Sequence, residues 1–205
     1  HNFEQLDAIF DFIEEENIDR VCFYHLVYSG RGQKMIADDI TPEETRQAMD
    51  IIIRRAKDFE QRGLKKEILT VDNHCDGVYL YLYALEDAER AERIKNLIGL
   101  NGGNRSGIAF GQVDPYGYVH PDQFTQHITF GNVRTRKFGE IWTDTGNSLL
   151  AGFKNRKPLL KGRCTKCQFL SFCNGNFRAR AEAVTGDLWE SDPACYLTDE
   201  EIGIC

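Results

Sequence analysis

The sequence predicts an α/β protein whose helices and short buried strands alternate through about the first hundred residues, followed by a smaller α+β segment. Three observations carry this expectation. Two β-branched, apolar runs, "RVCFYHLVY" at 20–28 and "EILTV" at 67–71, stand between segments of helical periodicity. Composition then changes near "NGGNRSG", residues 101–107, after which the elements become shorter and more irregular. Beyond that point three cysteines fall between residues 164 and 173. We place the division at residue 100, giving an α/β unit over 1–100 and a cysteine-bearing unit over 101–205.

Each element has a local reason. Phe3, Leu6, Ile9, Phe10 and Ile13 recur at helical spacing, with Asn2 available as a cap. The run at 20–28 is nearly continuous in apolar residues, as a strand covered on both faces would be, and "SGRG" breaks it. Thr41, Pro42 and Glu44 form a capping box with proline at the first helical position, opening a helix that Gly63 should end. "EILTV" is the next strand, broken by "DNHCDG". Residues 77–98 read as one helix, because the polar "EDAERAERIKN" outweighs the alternation of Tyr79, Tyr81 and Tyr83. Helix, strand, helix, strand, helix is the order of parallel strands joined by crossovers, although two strands alone are few for an independent sheet. "GIAFGQVDPYGYVH" reads as a hairpin turning at Asp114, Pro115, Tyr116 and Gly117, and "FGEIW" at 138–142 as a short helix.

Bulk properties narrow the function. The chain has 205 residues, enough to bury roughly 70% of the surface exposed when unfolded. No apolar run approaches the roughly 18–20 residues of a membrane span, so a soluble protein without a membrane partner is expected. "HNFEQLDAIFDFIEEEN" is acidic and amphipathic, unlike a signal peptide, which implies a cytoplasmic location. The formal net charge is −7 with basic residues scattered among acidic ones, which disfavours nucleic acid as a partner.

In a reducing compartment clustered cysteines are more often metal ligands than disulfides. Cys164, Cys167 and Cys173 follow C-x2-C-x5-C, and Cys195 comes later. Four thiolates suffice for one tetrahedral zinc or one cubane iron-sulfur cluster. Structural zinc usually takes two closely spaced pairs, and the wide split of the second pair here leans toward a cluster; zinc and unligated buried thiols remain the alternatives. Gln168 stands where covalent haem attachment would need histidine. Cys22, Cys75 and Cys205 are expected to be unligated. Phe169, Leu170, Phe172 and Trp189 are candidates to shield the centre from water, and His120 is expected to be an ordinary exposed histidine.

At this point the residues resemble the C-terminal half of a radical S-adenosylmethionine enzyme with an auxiliary-cluster domain of the SPASM or twitch type. The resemblance rests on Asp114, Gly117, Val119 and Pro121, then Gly131, Asn132 and Val133, then Glu140, Ile141 and Trp142, followed by the cysteines. It covers roughly residues 107–197. The pattern's hairpin cysteine is replaced near Asp122, and the fourth cysteine of its C-x2-C-x5-C-x3-C run is Phe177. One auxiliary cluster is therefore expected rather than two. "FYHLVYSGRG", "TVDNHCDG", "NGGNRSG", "VHPDQF" and "DPACYLTDEEIG" further resemble the haem-biosynthesis enzymes of the NirJ and alternative-haem-pathway group.

That resemblance implies the last strands and helices of a partial (β/α)6 barrel followed by the cluster domain, with Cys164, Cys167, Cys173 and Cys195 holding an auxiliary 4Fe-4S cluster. It implies removal of a side chain from a sirohaem-derived iron tetrapyrrole, foremost 12,18-didecarboxysirohaem to iron-coproporphyrin III, begun by a 5′-deoxyadenosyl radical. The full-length enzyme would also need a second 4Fe-4S cluster, S-adenosylmethionine and an electron donor. The C-x3-C-x2-C motif that binds that second cluster is missing from these 205 residues, so the chain is expected to be a fragment, inactive alone and lacking the N-terminal half of the barrel. An unpaired sheet edge would follow, with homodimerisation, strand swapping or poor order at the N-terminal region as expected consequences.

Barrel reactive faces lie at the carboxyl ends of the strands. His25, Arg31, Asp72, Asn73 and His74 are thus catalytic candidates, and Tyr28, Ser29, Asp76 and Arg105 candidates for binding cofactor or substrate. Arg31 and Arg105 would suit porphyrin propionates, which guanidinium matches bidentately. Plain loop-turning and solvation are the alternatives for all of them. A peptide-modifying radical enzyme and a zinc or iron-sulfur electron-transfer or interaction module are the rival functions.

Overall fold

The computed structural model describes residues 2–204 and combines helices with two small sheets. Strands β1 (Arg20–Tyr24) and β2 (Glu67–Val71) pair in parallel, Cys22 opposite Leu69. Helices α1 (Leu6–Glu15) and α2 (Pro42–Gln61) connect to them in the anticipated order. Leu6, Phe10 and Ile13 form the buried stripe of α1, and Phe10 meets Phe23 of β1 at 5.3 Å and Phe59 of α2 at 5.9 Å. Alternate strand residues Val21, Phe23 and Ile68 pack on this core, as period-two geometry requires. The start of α2 is as expected: the Thr41 hydroxyl accepts from Glu44 N while Glu44 accepts from Thr41 N. Asn2 supplies no side-chain cap; the chain enters α1 through a turn of 3-10 helix, Phe3–Gln5.

The single helix expected over 77–98 is two, α3 (Cys75–Tyr83) and α4 (Ala88–Asn101). Asp87 breaks the run, taking an extended conformation and accepting from Arg90 N as the cap of α4. A cap that satisfies free backbone donors outcompetes the helical propensity of its neighbours.

The hairpin forms as expected. β3 (Gln112–Val113) pairs antiparallel with β4 (Tyr118–His120), which pairs with β5 (Gly131–Asn132). Asp114 holds the turn by accepting from Tyr116 N and Tyr118 N. Gly117 takes φ +91°, and a Cβ there would lie 2.7 Å from Asn132 Oδ1. The remaining helices are short: α5 (Phe138–Trp142), α6 (Ser148–Lys154), α7 (Leu170–Cys173) and α8 (Arg178–Thr185). Val119, Ile128, Phe130, Ile141, Leu150, Phe153 and Leu188 make a second core under the hairpin. His120 is buried at 3% exposure, its Nδ1 bonded to Ile128 O at 2.7 Å, so the expectation of an exposed histidine is corrected. The C-terminal segment packs back on the first core through Phe169, Tyr196, Leu197 and Ile202. No described helix is long and apolar enough to cross a membrane.

Candidate metal centre and the loops beside it

Cys164, Cys167, Cys173 and Cys195 line one small cavity. Cys164 sits in a turn of 3-10 helix, Gly162–Thr165, and Cys167 follows it; Cys173 ends α7. Three successive left-handed residues, Asn174, Gly175 and Asn176, then reverse the chain. Asparagine tolerates that conformation better than most residues, and both side chains are used. Asn174 Nδ2 donates to Asn104 O at 2.7 Å. Asn176 accepts from His74 N and donates to Asn73 Oδ1. Gly103 lies against this turn, where a Cβ would stand 2.3 Å from the Cys173 carbonyl carbon. The Gly-Gly of "NGGN" thus gives the cysteine segment room to seat.

Val78, Phe169, Leu170, Leu197 and Ile202 make the apolar wall of the cavity. Trp189, grouped above with these shields, belongs instead to the second core against Phe153, 5.6 Å away, and Phe172 packs on Phe169 at 6.1 Å. Burial raises the thiol pKa of Cys164 and Cys167 and pushes Cys173 up to about 12. A thiolate there needs a compensating positive charge such as a metal supplies. Among the described residues no three His, Cys, Asp or Glu side chains close on a point that one ion could fill.

Sequence reasoning set Cys75 aside, yet its sulfur lines the same cavity and is almost wholly buried. Cys75 Sγ donates to Asn73 Oδ1 at 2.7 Å; its nearness draws the pKa of Cys195 down to about 7, and burial holds Cys75 itself far above the usual thiol range. Its position beside "DNH" at the end of a strand was the available signal.

Phe177 occupies the place of the absent fourth cysteine. It stacks on His74 at 5.8 Å, meets Phe124 edge-on at 5.6 Å, and packs with Val27. Asp122, near the other lost cysteine, accepts from Phe124 N, Thr125 N and the Thr125 hydroxyl. Aromatic side chains therefore fill the space between these two positions.

The candidates at the strand ends divide. His25 Nε2 bonds Asp76 Oδ2 at 2.9 Å, and the Tyr196 hydroxyl donates to Asp76 Oδ1 at 2.8 Å, so a buried carboxylate links the end of β1 to the residue after Cys195. Asp72 adopts φ +70° and burial raises its pKa. His74 is lowered to about 4, chiefly by burial and then by the Arg180 charge. Tyr28 donates to Asp39 at 2.8 Å, and burial with that bond raises its pKa. Ser29 donates to Phe124 O, bracing its loop against the segment after the hairpin, and Asn73 Nδ2 donates to Ala194 O, bracing the loop after β2 against the cysteine segment. Arg31 and Arg105 are exposed, with no side-chain bond among the described residues. Tyr196 and the buried ion pair of Arg180 with Asp192, 2.9 Å apart, were not foreseen.

Four cysteines thus line one apolar-walled cavity, and comparison with known proteins gives the class of chain that carries them. Residues 110–168 match SPASM, an iron-sulfur cluster-binding domain; Cys164 and Cys167 fall inside the match, Cys173 and Cys195 beyond it. The chain is 56% identical over 206 residues to the Fe-coproporphyrin III synthase of Methanosarcina barkeri, covering 98% of this chain and 52% of that protein. It is 39% identical to the pre-heme d1 synthase of Dinoroseobacter shibae, covering 98% and 50%, and 27% identical to the AdoMet-dependent heme synthase of M. barkeri, covering 95% and 52%. The chain is thus related over nearly its whole length to these synthases and carries an iron-sulfur cluster-binding SPASM match. It spans about half the length of the curated relatives it matches.

Proposed function

We propose that this chain is part of an enzyme of haem biosynthesis that removes a side chain from a sirohaem-derived iron tetrapyrrole, most closely 12,18-didecarboxysirohaem to iron-coproporphyrin III. The observation that carries the reading is the convergence of Cys164, Cys167, Cys173 and Cys195 on one apolar cavity, in a chain more than half identical to an Fe-coproporphyrin III synthase. The donor set is soft and all-cysteine, which together with the iron-sulfur cluster-binding SPASM match suits an iron-sulfur centre. An auxiliary 4Fe-4S cluster there supplies one-electron transfer when bound.

The chain's own residues position and insulate. Phe169, Leu170 and Leu197 keep water from the cysteine sulfurs. Asn73 and Asn176 tie the loop after β2 to the Cys173 turn, and Asp76 orients His25 while bonding Tyr196. His25, Asp72 and His74 form the polar rim at the carboxyl ends of the strands, where we place the tetrapyrrole. The unit over 1–100 is read as the last part of a partial (β/α)6 barrel, a reading supported by the parallel pairing of β1 with β2 and the helices on one face. Each of these strands pairs on only one side among the described residues, where the rest of a barrel or a second copy of the chain would add a strand. Electron donor, S-adenosylmethionine and the cluster that cleaves it belong to the whole enzyme.

Metal analysis of anaerobically prepared full-length protein tests the centre: sulfide and iron beyond those of one cluster are expected, whereas zinc without sulfide would refute it. Titration with a sirohaem-type tetrapyrrole tests the substrate through a shift of the visible bands. Peptide binding with no tetrapyrrole response would move the chain to the peptide-modifying class.

A further inference from the structure

Three arginines, Arg156, Arg178 and Arg180, are almost completely buried in the cysteine-bearing region. Their compensation is unequal. Arg180 is paired with Asp192 through Nε and Nη2, at 2.9 to 3.2 Å, and donates to Leu26 O. Arg156 has the Asn104 side chain and two carbonyls, and lies over the Phe153 ring. Arg178 has backbone carbonyls alone: Leu188 O at 3.1 Å, Glu190 O at 2.5 Å, and Gly175 O. Its Nε is buried without a partner. The carboxylate near it, Asp192, is committed to Arg180.

A guanidinium taken out of water with neutral partners alone, and with one N–H unpaired, is costly, and a neighbouring negative charge offsets that cost. The thiols supply the candidate. Gly175, whose carbonyl Arg178 holds, lines the cysteine cavity two residues after Cys173, so the guanidinium sits directly behind the cavity wall. A cubane held by four thiolates is an anion and gains a further negative charge on reduction.

We propose that Arg178 is the buried counter-charge of the cysteine centre, favouring its reduced state and so raising its reduction potential. The proposal rests on the iron-sulfur reading above. In a site shielded from water a fixed cation acts on a nearby redox charge more strongly than the same cation on the surface, and charge and hydrogen bonds around the sulfurs are the means by which a protein sets a cluster's potential.

The test is a redox titration, followed by electron paramagnetic resonance, of reconstituted full-length protein and its Arg178→Gln variant. Arg178→Gln with iron and sulfide retained is expected to move the auxiliary midpoint by about 59 mV to more negative values, a tenfold change for one electron; an unmoved midpoint overturns the proposal. Arg178→Lys keeps the charge but not the three-carbonyl fork, and decides the matter should Arg178→Gln lose its iron. Lysine protein holding its iron near the wild-type midpoint supports the charge role, and lysine protein without iron, or shifted as far as a tenfold change, overturns it. Zinc without sulfide in the wild-type protein would instead remove the cluster reading itself.

Discussion

Residues 2–101 and residues 102–204 keep their structure by different means. The first region buries Phe10, Ile13, Ile53, Phe59 and Val78 in one apolar core and leaves its arginine ion pairs within the helices, such as Arg54 with Asp7, at the surface, its buried pair of His25 with Asp76 lying at the border with the cysteine segment. Its buried polar side chains are Thr45, Asn73 and Asp76, the last two at the border with the cysteine segment. The second region buries three arginines, two aspartates and three asparagines. Its elements are short, so backbone carbonyls that a long helix would pair internally are paired by Arg156, Arg178 and Asn174 instead. A region with little regular structure here pairs charged side chains with its backbone, and gathers its cysteines around one cavity.

The comparison can be broken most sharply at the centre itself. Cys167→Ala should lose the auxiliary iron and lower the melting temperature, because a centre that binds only the folded form adds its binding energy to folding. Iron content and melting unchanged in that variant would mean the second region stands without it. Next in size, Asp192→Ala strands Arg180 inside the protein and should cost about 3–5 kcal/mol in denaturant unfolding. The matching change in the first region, Arg54→Ala at an exposed pair, should cost about 1 kcal/mol or less; equal losses would erase the distinction.

A smaller effect lies at the border. His74 is lowered to about 4 in the folded protein, against an ordinary value of 6.5. Between those values the unfolded chain takes up a proton that the native state refuses, so stability falls as pH falls from 6.5 toward 4. The slope from this group is at most about 1.4 kcal/mol per pH unit. His74→Phe, which can keep the ring against Phe177, should flatten the wild-type curve in that window. Parallel curves for the two proteins would show that the ring is not held neutral.

Local chemistry was readable wherever neighbours in sequence set it. Thr41 and Glu44 announced α2, Asp114 and Gly117 the hairpin, and the β-branched runs both strands, although the first ends at Tyr24 rather than Tyr28 and leaves Tyr24 exposed rather than covered. The break at Asp87 was missed because helix formers on both sides masked a capping residue. Among site candidates, His25 and Asp76 do meet, whereas Arg31 and Arg105 lie exposed: charge and proximity to a glycine turn say nothing about which way a long side chain finally points. Cys75 was passed over because the spacing rule for metal ligands compares cysteines within one stretch, and Cys75 reaches the cavity from another.

From its order of residues alone this protein declared its alternating helices and strands, its four-cysteine spacing and its family likeness. Those properties depend on contacts a few positions apart, or on a pattern copied whole. Folding alone decided that Tyr196 would bond Asp76 across 120 positions, that Phe177 would fill the room of a lost cysteine beside His74, and that Arg178 would be enclosed near the thiols without a carboxylate. Such neighbours are chosen by packing, which joins distant segments through shape and burial and leaves no period in the sequence to read.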